Sequence, residues 1–172
     1  MSEGSSAGWD SRPEEIIAGQ NPPEGDAYAW YQRGMELLGK GSPAAAAQVL
    51  QRASAAEPDS RSVREALARA QFDAGWYTAA ADNFRVIVEA SPSDDYAHFG
   101  LGLALARTGN HAAAAKYLAL AAAMRPDDSH YTDALRQVRA TLRARAEAAG
   151  DQARDRTGDQ AQEQAGDRED SR

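Results

Sequence analysis

The chain has 172 residues, no cysteine and a formal net charge of −7. The acidic balance argues against general nucleic-acid binding, because affinity for phosphates needs a basic surface. The lack of cysteine excludes a disulfide framework and thiolate ligands for zinc or iron–sulfur clusters. No stretch approaches the roughly 18 consecutive apolar residues of a membrane span, and residues 1–4 lack the features of a secretory signal. We therefore expect one domain in the cytoplasm with no membrane partner. The heavy use of alanine and arginine suggests a bacterial source.

Residues 1–25 are predicted to be a disordered tail. They are rich in glycine, serine, proline and glutamate, and such a segment buries too little apolar surface to offset the entropy of ordering. Trp9, Ile16 and Ile17 depart from this composition. Either they are isolated hydrophobic residues of a tail, or they fold back onto the domain or dock on a partner.

The first predicted element is a pair of helices. Asp26 is predicted to cap the first helix, which Gly39 ends in a left-handed conformation. Ser42 is predicted to cap the second helix, with Pro43 in its first turn, where proline is tolerated. This second helix is predicted to run to about residue 56.

Two further helix pairs follow. One is predicted over residues 60–90 with a break at Gly75. The other is predicted over residues 93–124 with a break at Gly109, where Asn110 caps the following helix. Apolar residues recur at helical spacing in both pairs, with charged residues on other faces, as is typical of amphipathic helices.

A last helix is predicted over residues 129–149, capped by Asp127-Asp128-Ser129 and stopped by Gly150. One of its stripes is apolar and much of the remainder is basic, as the terminal repeat of an array needs for solubility. The apolar residues are Leu135, Val138 and Leu142. Residues 150–172 contain no aliphatic residue beyond alanine and are predicted to be a disordered polar tail.

The helix pairs repeat at a fixed spacing. Pro58, Pro92 and Pro126 stand 34 residues apart, and a period of about 34 residues is typical of an array of helical hairpins. The same offset aligns further positions, among them Gly34, Ala68 and Gly102; Ala46, Ala80 and Ala114; Leu50, Phe84 and Leu118; Ala53, Ile87 and Ala121; Gly41, Gly75 and Gly109.

These aligned residues, together with Trp30, Leu67 and Leu101, resemble the tetratricopeptide repeat. The resemblance implies an all-α, right-handed superhelix of three helical hairpins and a C-terminal capping helix. It divides a domain over residues 26–149 into repeats 27–60, 61–94 and 95–128 and a cap helix 129–149. The departures from the family pattern are Arg33 at a leucine position, Arg64 and His98 at tryptophan positions, and Leu37, Gln71 and Leu105 at the tyrosine position.

We expect no enzyme activity, no cofactor and no metal site. His98, His111 and His130 do not form the spaced pairs of a zinc site, and we expect His98 to pack between helices. There is no Gly-x-Ser-x-Gly nucleophile elbow and no glycine-rich phosphate loop. The carboxylates are scattered over the predicted solvent faces, so no acid–base pair can be selected.

The resemblance implies instead a groove along the first helices of successive repeats, in which a partner lies. The predicted groove residues are Tyr28, Tyr31, Met35, Glu65, Arg69, Phe72, Tyr96, Phe99 and Arg107. Aromatic residues and methionine with a few charges make an adaptable surface for a peptide. Of the positions along the first helix, Met35 and Leu38 are expected to be the more buried.

Members of the family that bind chaperones clamp the C-terminal carboxylate of a peptide with lysine, asparagine and arginine side chains. The matching positions of this chain are Tyr31, Met35, Ala66, Tyr96 and Gly100. None of them can donate charge-assisted hydrogen bonds to a carboxylate. We therefore expect no clamp of this kind.

Three functions are compatible with the sequence. The first is a scaffold that binds a peptide or helix of another protein in the groove. The second is a homodimer formed through Trp76 and Tyr77, of which Trp76 is expected to be the more exposed, or through an incompletely capped end. The third is binding of RNA or an acidic ligand by Arg136, Arg139 and Arg143. The acidic net charge of the chain argues against this third function.

Overall fold

The computed structural model describes residues 26–169, with side chains up to residue 154 and at Arg156. The predictions made for residues 1–25 and 170–172 lie outside the described residues. Residues 26–169 form seven helices and contain no strand, which confirms the all-α prediction. The helices are α1 Ala27–Gly39, α2 Pro43–Ala56, α3 Arg61–Asp73, α4 Tyr77–Ala90, α5 Asp95–Arg107, α6 His111–Met124 and α7 Ser129–Glu169.

The helices form an array in which each one packs against the next in sequence. The first helices of successive hairpins also meet, so that α1 contacts α3, α3 contacts α5 and α5 contacts α7. No described helix contacts a helix more than two positions away in sequence. This is the open, quasi-one-dimensional architecture of a repeat protein.

Polar residues before the helices set where several of them begin. Asp26 accepts a hydrogen bond from the backbone N–H of Ala29 at 2.9 Å, and Asp94 accepts one from Ala97 at 3.0 Å. Asn110 caps α6 in the same way. Ser42 stands at the expected position but its side chain makes no capping bond. The start of α2 therefore depends on Pro43, whose fixed φ suits the first turn.

The tight turn inside each hairpin depends on a glycine. Gly41, Gly75 and Gly109 have φ angles of +71°, +81° and +87°, a region that glycine enters without strain. The prediction that Gly39 adopts the left-handed conformation is wrong by two residues. Gly39 is the last residue of α1, and Gly41 makes the turn.

Close approach of the two helices of a hairpin requires small residues on the first. A Cβ atom at Gly34 would lie 2.6 Å from Cδ2 of Leu50, and one at Gly102 would lie 2.6 Å from Cγ of Leu118. Both leucines are fully buried, as are Leu67 and Leu101. The core therefore runs along the axis of the array, between a first helix layer (α1, α3 and α5) and a second helix layer (α2, α4 and α6).

The last helix extends further than the sequence predicts. The first part of α7 packs through Tyr131, Leu135 and Val138, which are buried. The predicted stop at Gly150 is wrong, because α7 continues to Glu169. One glycine costs a helix only about 1 kcal/mol relative to alanine, and the residues that follow are mostly good helix formers. None of the helices described is both long and apolar enough to cross a membrane.

Candidate functional site

A groove runs over the face formed by α1, α3 and α5. It consists of two adjoining depressions. The apolar pocket has a volume of about 190 Å³ and is lined by Arg69, Phe72, Asp73, Phe84, Tyr96, Phe99, Gly100 and Leu103. The polar pocket has a volume of about 370 Å³ and is lined by Tyr31, Met35, Ser62, Glu65, Ala66, Arg69 and Tyr96. The two pockets share Arg69 and Tyr96, so they form one continuous surface.

The floor of the apolar pocket is an aromatic ring that reaches it from the second helix layer. Phe84 belongs to α4 and is buried. A Cβ atom at Gly100 would lie 2.5 Å from Cζ of Phe84, so only glycine at this position leaves room for the ring. The ring meets Tyr96 edge to face, with centroids 6.1 Å apart. This geometry is favourable for aromatic pairs and fixes the floor.

One wall of the apolar pocket is supported from behind by α7. Phe99 stacks on Tyr131, with ring centroids 4.4 Å apart. The hydroxyl of Tyr131 donates a hydrogen bond to Oδ2 of Asp95 at 2.9 Å. Burial, followed by this hydrogen bond to Asp95, raises the pKa of Tyr131 above its usual value, so the phenol stays protonated and keeps donating. The cap helix thereby positions a residue of the groove.

The charges in the groove are few and already paired. Arg69 lies 3.8 Å from Asp73, and Glu65 lies 3.4 Å from Arg61. Arg61 also contacts the buried carboxylate of Asp94 at 2.5 Å, which ties α3 to the start of α5. Burial raises the pKa of Glu65, and the neighbouring Arg61 opposes this shift. Among the residues that line the two pockets, Arg69 is the one cation.

Seven of the nine predicted groove residues line the two pockets. They are Tyr31, Met35, Glu65, Arg69, Phe72, Tyr96 and Phe99. Tyr28 lines neither pocket: it is 64% exposed, and its hydroxyl accepts a hydrogen bond from Gln32. Arg107 lies in an adjoining depression between α5 and α7, which shares Leu103 with the apolar pocket, and its guanidinium is 5.8 Å from the ring centroid of Tyr77.

The expectation that Met35 is buried is wrong. Met35 is 37% exposed and lines the polar pocket, whereas Leu38 is partly buried against the core. Among the described residues, α1 packs only against α2 and α3. Met35 lies on the groove side of α1, where it lines the polar pocket with residues of α3, and this position leaves it open.

The departures from the family pattern in the second hairpin form a polar network that the sequence analysis did not anticipate. Arg64 donates to the carbonyl of Pro58 at 2.6 Å and to Asn83 at 3.2 Å. Asn83 in turn donates to Gln71 at 2.8 Å. The available signal in the sequence was that Arg64, Gln71 and Asn83 are polar at three positions of the same hairpin. The network fixes the turn between the first and second repeats.

His98 does the corresponding work in the third hairpin. It is 4% exposed, which confirms the prediction that it packs between helices. Its Nε2 donates to the carbonyl of Pro92 at 2.9 Å, and its ring stacks on Tyr117. Arg64 and His98 therefore replace tryptophan with groups that bind the carbonyl of the proline that ends the preceding repeat.

The structure also describes the residues on which the two alternative functions depend. Trp76 is 42% exposed, whereas Tyr77 is partly buried and meets Phe72 edge to face. The prediction that Trp76 is the more exposed is confirmed. Arg136 pairs with Asp133 at 3.0 Å on the solvent side of α7. Among the residues whose side chains the structure describes, no group of three or more histidine, aspartate or glutamate residues is placed to hold a metal ion.

An open row of helical hairpins with a groove along its first helices is a helical-repeat solenoid. The sequence model of the tetratricopeptide repeat family matches residues 31–95 and 88–129, which together are more than half of the chain. The chain belongs to the tetratricopeptide repeat family.

Solved structures with the same fold have low sequence identity to the chain. The first TPR of Spaghetti (RPAP3), bound to the HSP90 peptide SRMEEVD, is 19% identical with a TM-score of 0.64, over 68% of this chain and 93% of that one. The second TPR domain of human RPAP3, in complex with the HSP70 peptide SGPTIEEVD, is 18% identical with a TM-score of 0.61, over 66% and 94%. MamA from Desulfovibrio magneticus RS-1 is 21% identical with a TM-score of 0.66, over 72% and 70%. No curated protein matches the sequence significantly.

Proposed function

We propose that this protein is a non-enzymatic scaffold that binds a peptide segment of another protein in the groove formed by α1, α3 and α5. The observation that carries the proposal is the aromatic apolar pocket, which is joined to a polar pocket through Arg69 and Tyr96 and left uncovered by residues 26–169. Two TPR domains with this fold have been solved with peptides bound, which supports the same use of the fold here.

The apolar pocket supplies the affinity. A cavity of about 150 Å³ lined by aliphatic and aromatic residues is large enough for benzene. At about 190 Å³, this pocket fits one leucine-, isoleucine- or phenylalanine-sized side chain. An anchor residue buried in a well-packed pocket of this kind carries much of the free energy of a peptide interface.

The polar pocket supplies orientation. Tyr31, Ser62 and Glu65 offer hydroxyl and carboxylate groups at the α1–α3 side of the groove. Such groups can hold the main chain of a bound peptide, because every residue of a peptide carries one donor and one acceptor. We propose that the anchor side chain enters the apolar pocket while the neighbouring main chain crosses the polar pocket.

Recognition of a C-terminal carboxylate is not part of the proposal. Tyr31, Met35, Ala66 and Tyr96 line the polar pocket at the positions where chaperone-binding relatives carry lysine and asparagine. Arg69 is the single basic residue in the lining, and it already pairs with Asp73. We therefore propose an internal, anchor-type segment as the ligand.

The test is capture of the partner by paired aromatic variants. Tyr31→Ala/Tyr96→Ala removes two rings of the groove and should weaken capture by about tenfold or more. The matched control is Tyr28→Ala/Trp76→Ala, which removes two exposed rings that line neither pocket and should leave capture unchanged. Circular dichroism and thermal melting must show both variants folded. Equal capture by the two folded variants would reject the groove as the binding site.

A further inference from the structure

We propose that one isoleucine of the Ile16-Ile17 pair of this same chain enters the apolar pocket when no partner is bound, so that the N-terminal segment competes with the partner for the groove. The inference rests on the proposed function, because it concerns the same groove. Two observations favour this occupant: the size of the pocket and the length of chain available to reach it.

The pocket is large enough for a branched aliphatic side chain of the N-terminal segment. Its volume of about 190 Å³ and its lining by Phe72, Phe84 and Leu103 fit one isoleucine. Besides Met1, the segment before Asp26 contains three large hydrophobic residues, Trp9, Ile16 and Ile17. The fused ring system of Trp9 is larger than the benzene that fills a cavity slightly smaller than this pocket. The isoleucines are therefore the matching pair.

The chain between the isoleucines and α1 is long enough. Nine peptide units separate Ile17 from Asp26 and can span about 30 Å when extended. Asp26 caps α1, the helix at one side of the groove, and the pocket lies between α3 and α5. Two interaxial distances of 8–10 Å amount to about 20 Å across the array. A further distance of about 10 Å along the helices keeps the pocket within reach.

The charges next to the isoleucines meet a rim of both signs, with one cation and two carboxylates. Glu14 and Glu15 directly precede Ile16, and Arg69 is the cation at the junction of the two pockets. The pairing of Arg69 with Asp73 is long, at 3.8 Å, and both side chains are about half exposed, so it is weak. A glutamate delivered beside Arg69 would strengthen its pairing. The rim also holds Glu65 and Asp73, for which Arg12 of the same segment is the available cation.

A tethered segment needs little intrinsic affinity to be effective. A short flexible linker gives an effective concentration of about millimolar. A segment whose intrinsic dissociation constant is also about millimolar therefore occupies the pocket for a large part of the time. The apparent affinity of the partner falls in proportion to the fraction of molecules whose pocket is free. A partner must then displace the segment.

The chain offers a direct test because it has no cysteine. A nitroxide attached to full-length Ala18→Cys should broaden the amide signals of Gly100 and Leu103, which lie in the pocket, and spare those of Val86 and Leu120 on the second helix layer. Ile16→Ser/Ile17→Ser in the same labelled chain should restore the pocket signals. Trp9→Ser is the matched control and should leave the broadening in place.

Three results would overturn the inference. They are no broadening at Gly100 and Leu103, broadening that survives Ile16→Ser/Ile17→Ser, and broadening seen when the nitroxide and the isotope label are on different molecules. The last result would assign the pocket to the segment of a second copy. A failure here combined with selective loss of partner capture by Tyr31→Ala/Tyr96→Ala would leave the proposed groove intact. A failure of both experiments would reject the groove itself.

Discussion

The tight contact between Gly34 of α1 and Leu50 of α2 makes a quantitative prediction. A Cβ atom at position 34 would lie 2.6 Å from Cδ2 of Leu50, closer still to its Cγ, and 3.1 Å from Cδ1. These separations are shorter than carbon–carbon contacts at their optimum of about 3.5–4.0 Å. All three atoms belong to the leucine side chain, so the conflict is between two side chains and not between a side chain and the backbone.

Each single substitution should therefore destabilise the protein. Gly34→Ala forces Leu50 to move in a packed core, at about 1–3 kcal/mol, against a gain in helix propensity of about 1 kcal/mol. Leu50→Ala removes a fully buried side chain and should cost about 2–5 kcal/mol. In the double variant the added methyl has room, so the conflict disappears. The double variant should be more stable than the sum of the singles implies, by about 1–3 kcal/mol.

Gly39→Ala is the matched control in the same helix. Position 39 is the last of α1 and has no neighbouring atom within 4 Å of an added Cβ, so the substitution should be neutral or slightly stabilising. Urea unfolding of the wild type and the four variants measures all the free energies. The argument that a methyl group at position 34 collides with Leu50 would be refuted in two ways. One is that the changes in unfolding free energy of the two single variants add up to that of the double variant. The other is that Gly34→Ala is as stable as Gly39→Ala.

Three further predictions follow from burial, helix continuity and ionisation. Leu118→Ala should lose about 2–5 kcal/mol in urea unfolding, because Leu118 is 0% exposed; Leu120→Ala, at an exposed position, should change stability by less than about 0.5 kcal/mol, and similar losses in the two would contradict the packing. Gly150→Pro should reduce helicity measured by circular dichroism without lowering the melting temperature, because residues 143–150 are all exposed; a lower melting temperature would show that this part of α7 contributes to the fold. The pKa of Tyr131 is raised above the ordinary value of 10.0, mainly by burial and then by Asp95. Its contribution to stability is therefore complete below about pH 10 and is lost at higher pH, where the unfolded state ionises first. Tyr131→Phe should flatten this alkaline loss in unfolding free energies measured against pH, and an unchanged slope would show that Tyr131 does not cause it.

Most of the fold could be predicted from the 34-residue period of the repeats. Its glycine and proline columns mark positions where a turn or a close helix approach leaves little choice of residue, and such positions can be recognised from one sequence. Helix ends are set by smaller free energies. Gly39 and Gly41 are both plausible turn residues, and Gly150 resembles a stop signal, but a single glycine does not outweigh a run of helix-forming neighbours.

The groove was predicted less completely, for a geometric reason. Residues such as Tyr31 and Phe99 belong to the first helices, and their periodic positions place them on the groove face. Phe84 belongs to the second helix layer, where its column predicts a core residue. It reaches the floor of the apolar pocket only because Gly100 of another hairpin lacks a side chain. No pattern within one hairpin contains this information.

Met35 shows the same limitation at the other end of the array. It lies on the groove side of α1, where it lines the polar pocket with residues of α3. The exposure of a repeat residue depends on its neighbours in the array as well as on its own column. The sequence pattern gives the column alone.

The polar network of the second hairpin has a consequence for how this molecule could grow. Arg64, Gln71 and Asn83 satisfy one another inside the stretch 61–94, and Arg61 is bonded to Asp94 within the same stretch. The one outside acceptor is the carbonyl of Pro58. If a second copy of residues 61–94 followed the first, the carbonyl of Pro92 in the first copy would accept the hydrogen bond from the repeated Arg64. A gene duplication of this stretch would therefore lengthen the protein by a whole unit that carries its own Arg64–Asn83–Gln71 hydrogen bonds.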